Sequence, residues 1–123
     1  MPLPSLTQIF VTFLKNIIPI IKQAIMVLTT TNTIEGFQIK DYKGIVTGVA
    51  INEKKLALGF SMSKYYKALK ESIDETKEVA FQALRDNAKQ VGANAVVGIK
   101  VEIELMASNY AMVSVTGTAV SVA

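Results

Sequence analysis

Neither cysteine nor histidine occurs anywhere in the 123 residues. Zinc held by thiolate and imidazole, haem or iron–sulfur ligation through those residues, disulfides, cysteine nucleophiles and Ser–His pairs are all excluded. A general base would have to be a carboxylate, a lysine or a tyrosine. No paired-carboxylate signature stands out, and Thr47, Thr116 and Thr118 are adequately explained as strand formers. The chain is therefore expected not to be an enzyme. Lack of cysteine suits a cytoplasmic protein and is compatible with an oxidising space.

Charge is also sparse. Charged residues make up 19% of the chain and the net charge is +3. Lys40, Lys43, Lys54, Lys55, Lys64, Lys67 and Lys70 are scattered, with acids mixed among the later ones. No basic stripe interleaved with aromatics is present, so nucleic acid is not an expected partner. Half the residues are hydrophobic, which excludes a disordered chain, and the length suits a single core.

Acidic residues are missing altogether from residues 1–26. Ser5, Gln8, Thr12, Lys15, Asn16, Pro19, Lys22 and Gln23 recur in steps of three and four along one helical face. Phe10, Phe13, Leu14, Ile17 and Ile21 belong to the wider apolar face opposite. The pattern predicts an amphipathic helical extension over residues 1–25, bent at Pro19, ahead of an α+β domain over residues 26–123. Lys15 and Lys22 interrupt the apolar run, which argues against a membrane span, and the segment lacks the layout of a secretory signal. Three roles stay open: packing on the domain or a neighbouring subunit, lying in a membrane interface as a peripheral contact, or an addition upstream of a natural start at Met26.

From Val27 the chain reads as a βαββ unit. Val27–Thr31 is short and β-branched, and Glu35-Gly36 signals a turn. Phe37–Asn52 predicts a long strand, with Gly44 and Gly48 marking bends or close approach. Gly59 to Ser63 punctuates the chain before a helix capped by Ser63, whose periodic positions include Leu69, Ile73, Ala80, Leu84 and Ala88, and which stops at Gly92. Ile99, Val101, Ile103 and Leu105 alternate with Lys100, Glu102 and Glu104, a strand with one wet face. Ser108-Asn109 predicts a reversal. Met112–Val122 follows, with Val113, Val115, Gly117 and Ala119 on one face and Met112, Ser114, Thr116, Thr118, Val120 and Val122 on the other. The expected architecture is a three-stranded antiparallel sheet with one long helix across it. Such a unit leaves a sheet face and two edges open, so it is expected to form a homo-oligomer.

Four ordered segments resemble the YbjQ family: Thr29 to Gly36, the Gly44-Ile45-Val46-Thr47-Gly48 run, Gly92-Ala93-Asn94-Ala95-Val96-Val97-Gly98, and Val115-Thr116-Gly117-Thr118-Ala119-Val120. The resemblance spans about residues 26–122. It implies a dodecin-like βαββ fold assembled as a ring, usually a pentamer, and it marks Gly44, Thr47, Gly48, Gly92, Ala93, Gly98, Gly117 and Thr118 as motif positions of mainly structural use. The family carries a heavy-metal-binding label and is otherwise without an assigned role. Two departures stand out. Val49 replaces a common acid, and the segment Ala57 to Ser63 lacks the family's arginine.

Soft metals prefer thiolate and imidazole, which are absent. Asp41, Glu102 and Glu104 are the candidates for a hard cation around a ring axis, against the plainer reading of a solvated sheet face. Met62, Met106 and Met112 could serve Cu(I), or simply pack. The glycines form neither Gly-x-Gly-x-x-Gly nor a Walker loop, and Gly92 follows a helix where phosphate sites precede one. Two functions remain: a ring binding a small ligand or metal ion between subunits, or a structural or membrane-associated assembly acting through residues 5–25. The cofactor, if any, is unknown.

Overall fold

The computed structural model describes residues 3–52, 61–106 and 110–123, without the side chains of residues 19–24. Its elements are α1 (Leu6–Ala24), β1 (Val27–Leu28), β2 (Ile39–Ile51), α2 (Met62–Gln90), β3 (Ala95–Met106) and β4 (Tyr110–Val122). The expected reversal at Ser108-Asn109 and the punctuation at Gly59-Phe60 lie outside the described residues.

Helix α1 begins with a reciprocal cap. The Gln8 N–H donates to Ser5 Oγ (3.2 Å), and the Ser5 N–H donates to Gln8 Oε1 (3.2 Å). Helix α2 is capped by Ser61, two residues ahead of the expected Ser63; Ser61 is extended (φ −164°, ψ 150°) and its Oγ accepts from the Lys64 N–H at 3.2 Å. Ser63 falls inside the first turn, past the non-helical position from which a side chain caps the first free amides. At the far end Gly92, with φ 78°, donates to Lys89 O (3.0 Å), and Ala93 donates to Ala88 O (3.0 Å). That paired pattern closes the helix as a Schellman motif, and buried Ala93 and Ala88 supply its apolar contact.

The sheet has four strands in the order β1-β3-β4-β2, not the three expected. Strands β2, β4 and β3 are antiparallel neighbours, whereas β1 runs parallel to β3 through Val27↔Ala95 and Leu28↔Val96. The mixed character comes from the segment after β1. The Thr29 N–H donates to Val96 O (3.0 Å), and the carbonyls of Thr31 and Thr29 accept from Gly98 and Ile99 (2.8 and 3.1 Å). Those last bonds require the bulge between Val97 and Lys100, which Gly98 supports with a φ of 62°. Beyond it, the described residues place no strand along the outer edge of β3.

Helix α2 packs over β2 and β4. Its closest approach is at Gly48, where an added Cβ would lie 2.7 Å from the Leu84 amide nitrogen and closer still to the Ala80 carbonyl oxygen. Gly117 is similarly filled by Val96 and Ile99 side chains, at 2.6 and 2.9 Å from a hypothetical Cβ. The main core between helix and sheet includes Val46, Ala80, Leu84, Val96, Val113 and Val115. A second cluster occupies the reverse face at one end. There Ala95, Val97, Val120 and Val122 are covered by Val27, Ile34, Phe37 and Ile39. Val120 and Val122 are therefore buried, unlike Ser114 and Thr116 earlier on the same face.

Candidate functional site

Beyond the second cluster the reverse sheet face is bare. Three rows cross it, given by the strand register: Thr47–Thr116–Lys100, Val49–Ser114–Glu102 and Ile51–Met112–Glu104. Ile45, Val49 and Ile51 form an exposed apolar column on edge strand β2, at 80%, 50% and 50% exposure. Thr47 Oγ1 meets Thr116 Oγ1 at 3.4 Å in the middle, and Lys100, Glu102 and Glu104 line the other edge.

The helix side of β3 is open as well. Val101, Ile103 and Leu105 pair with buried Val115, Val113 and Ala111, so they point toward the helix layer. Helix α2 lies over the other strands and leaves them exposed.

The candidate cation ligands do not converge within one chain. Glu102 stands opposite Ser114 and Asp41 opposite Ser121, which separates them by seven residues of β4, roughly 23 Å. Asp41 is engaged by Lys43 at 2.9 Å. The Lys43 ammonium, by hydrogen bond and by charge, holds the exposed Asp41 carboxyl below its ordinary range. Among the described residues no group of three or more acidic side chains could hold a metal ion. Met106 and Met112 share the bare face on diagonal positions of the β3–β4 pair, whereas Met62 opens α2.

One groove lies beside β1, about 480 Å³ in volume and lined by Val27, Leu28, Thr29, Thr31, Thr33, Ile34 and Glu35. Two of its hydroxyls are already bonded within the segment. Thr29 Oγ1 and Thr31 Oγ1 lie 2.8 Å apart, and Thr31 Oγ1 donates to Thr33 O at 2.6 Å.

Phe10 and Phe13 are 61% and 56% exposed, Leu14 and Ile17 are half-buried, and the Ile21 side chain lies outside the described residues. Among the described residues no helix is long and apolar enough to cross a membrane.

A family model described as "putative heavy-metal-binding", that of the YbjQ proteins, matches residues 26–123. The chain belongs to the YbjQ-like family. A UPF0145 protein of Clostridium kluyveri is 40% identical over 108 residues, covering 79% of this chain and 99% of the relative. One from Acetivibrio thermocellus is 37% identical over 106 residues, covering 77% and 97%. A solved structure from Pediococcus pentosaceus, a protein of unknown function in the DUF74 family, superposes with a TM-score of 0.52 at 20% identity. It covers 80% of this chain and 98% of its own, and supports the fold alone.

The YbjQ-like motif residues hold the architecture. Gly44 sits at a bulge in β2, Gly48 lies under α2, and Gly117 lies under Val96 and Ile99. Gly92 and Ala93 end the helix, and Gly98 forms the bulge that admits the segment after β1. Thr47 and Thr118 face the bare side, beside Thr116 and Ile45 respectively. Val49 lies in the β2 column between Thr47 and Ile51.

Sequence reasoning passed over two asparagines. Asn94 Nδ2 donates to Val122 O (2.9 Å) and its Oδ1 accepts from the Val122 N–H (2.8 Å). Asn52 is buried, accepts from the Ala111 N–H, and donates to Ser72 Oγ (3.0 Å). Each side-chain amide extends a strand pairing onto β4, one at either end. The signal was an asparagine at a strand boundary, beside Ala93 in one case and Ile51 in the other.

Proposed function

We propose that this YbjQ-like chain is a non-enzymatic homo-oligomer that closes as a ring, with any ligand held between subunits. The observation that carries the proposal is the pair of unlike open edges. Among the described residues, β2 offers one along its whole length, and β3 offers the other beyond its bulge. An exposed strand edge recruits a partner strand, and two different patches meeting head to tail generate a ring when the rotation closes. The apolar residues flanking both edges, Ile45, Val49 and Ile51 on one and Val101, Ile103 and Leu105 on the other, favour a protein neighbour over water.

Five subunits is the number that family resemblance suggests. Light scattering on the full chain is expected to give a mass about five times the 13.3 kDa of one chain. A mass of one chain at micromolar concentration would sink the proposal.

In a ring, Glu102 and Glu104 would draw ligands from another subunit to hold a hard cation by oxygen, since the described residues of one chain supply no third acid beside them. Binding to the native assembly raises its unfolding temperature by mass action. A metal series that leaves the melting temperature unchanged removes the cation from the proposal and leaves the ring. The second reading, an assembly that meets a membrane surface through α1, draws on the exposed Phe10 and Phe13. Its weakness is that Lys15 and Lys22 are the helix's only cations, which gives little attraction to anionic lipid. Binding of the chain to lipid vesicles tests it.

A further inference from the structure

The backbone groups on the two open edges alternate in a fixed phase. On β2, the Asn52 N–H donates inward to Ala111 O at 3.1 Å, so Ala50, Gly48 and Val46 also bond toward β4. The N–H and C=O groups of Ile45, Thr47, Val49 and Ile51 therefore point off the sheet. Thr47 bears this out, since its carbonyl accepts from Asn87 Nδ2 at 2.7 Å. A carbonyl keeps a second lone pair for an incoming strand. Carried across the β4 register, the same alternation turns the backbone of Val101, Ile103 and Leu105 outward on β3. The outward residues of β2 carry their side chains on the bare face, and those of β3 carry theirs on the helix face.

We infer that β2 of one copy pairs in parallel with the open half of β3 on the next, keeping every α2 on one face of the joined sheet. The pairing rests on the ring reading and adds its direction, its residues and the side on which the helices lie. In an antiparallel pair, residues that exchange hydrogen bonds share a face. Joined that way, these two edges would put the α2 layers of neighbouring copies on opposite faces. In a parallel pair each residue bonds to the two that flank its opposite, so bonded residues carry side chains on opposite faces. The phases of β2 and β3 then match. Strand direction agrees independently. Both strands run antiparallel to β4 and hence parallel to each other, and rotation about an axis along the strands preserves that direction from copy to copy.

Cover agrees as well. Parallel pairing sets Val101, Ile103 and Leu105, at 41%, 46% and 68% exposure, beside the neighbouring copy's buried Val46 and Ala50 on the helix face. Asn87 reaches the β2 edge from α2, and Val79, eight residues earlier along the same flank, is 60% exposed. That flank overhangs the joint, so apolar surface on both copies leaves water together. Antiparallel pairing would turn the three β3 side chains to the bare face, away from Val79.

The chain has no native cysteine, so engineered thiols report alone. Full-length Val49→Cys is co-expressed with a differently tagged copy and oxidised. That copy carries Lys100→Cys, Glu102→Cys or Glu104→Cys on the bare face, or Val101→Cys, Ile103→Cys or Leu105→Cys on the helix face. Within one chain β4 separates Val49 from β3 by two strand spacings, about 9.6 Å, which is beyond disulfide reach. A mixed disulfide therefore reports a contact between copies. The expected result is a mixed disulfide with the bare-face set and none above background with the helix-face set. The reverse preference would mean antiparallel pairing and overturn the inference. So would a Val49→Cys homodimer as the dominant product, because β2 would then meet its own copy. Light scattering on the same samples separates the two levels. An oligomeric mass without a mixed disulfide removes the edge pairing alone, and a monomeric mass removes the oligomer as well.

Discussion

The two halves of β3 meet opposite fates. Ala95 to Val97 and Ile99 are buried, while every residue from Lys100 to Met106 is exposed. On the helix side alone, exposure climbs from 5% at Ile99 to 41%, 46% and 68% at Val101, Ile103 and Leu105. Nothing in the side chains accounts for the rise, since all four are aliphatic. The first half lies between Met26, Leu28 and Phe81 on one face and Ile34 and Phe37 on the other. Among the described residues the second half has neither cover. Burial on the helix side of this sheet is therefore set by what crosses each strand.

The comparison breaks most visibly under α2. Leu84 is fully buried, and Leu84→Ala is expected to cost about 2–5 kcal/mol by removing packed atoms and leaving a cavity. Gly48→Val is expected to be at least as severe, because its side chain would meet the α2 backbone and not a movable side chain. Denaturant melts of both variants check this. A loss under about 1 kcal/mol for Leu84→Ala would mean the helix is not seated as described.

The ends of β4 come next. Asn52→Ala and Asn94→Ala each leave a β4 amide without its partner, at about 1–3 kcal/mol, with the buried Asn52 the more costly. Hydrogen exchange should localise the opening to Ala111 in the first and Val122 in the second. Gly98→Ala tests the bulge that divides the two halves of β3. Its Cβ would find room, 3.6 Å from Asn32 Oδ1, so the cost of about 1–2 kcal/mol comes from the left-handed backbone alone.

The exposed half sharpens the contrast from the other side. Leu105→Ala should change the stability of a single chain by no more than about 0.5 kcal/mol. A larger loss that grows with protein concentration would report its burial in the assembly.

The smallest expected effect is at Asp41. Its folded pKa lies below the ordinary 3.8 because Lys43 favours the charged form. Folding therefore gains from this carboxylate above about pH 4, and the gain is lost as pH falls through the lowered value. Lys43→Ala should return the Asp41 titration, followed by NMR, toward 3.8. An unchanged midpoint would show that the exposed pair is screened away.

Much of the architecture was legible in the residues. The spacing of Ala80, Leu84 and Ala88 announced α2, and Gly92 announced its end, because helix periodicity and a left-handed stop are local properties. The alternation of Val113, Val115, Gly117 and Ala119 assigned the inner face of β4 for the same reason. The candidate site was legible only in part. Glu102 and Glu104 were correctly placed on one wet face, but Asp41 was grouped with them without knowledge of the register. Register depends on pairing between segments about seventy residues apart, and here it carries Asp41 to the opposite end of β4.

By itself the sequence determined which side of each strand and helix is apolar, where α2 stops, and that no thiolate or imidazole chemistry is available. The tertiary structure alone decided that β1 joins parallel to β3, that Val120 and Val122 lie beneath Ile34 and Phe37, and that Val101, Ile103 and Leu105 remain bare. The division follows from the range of the forces involved. Side-chain periodicity and backbone preference act within a few residues, whereas cover and exposure depend on where distant segments cross the sheet.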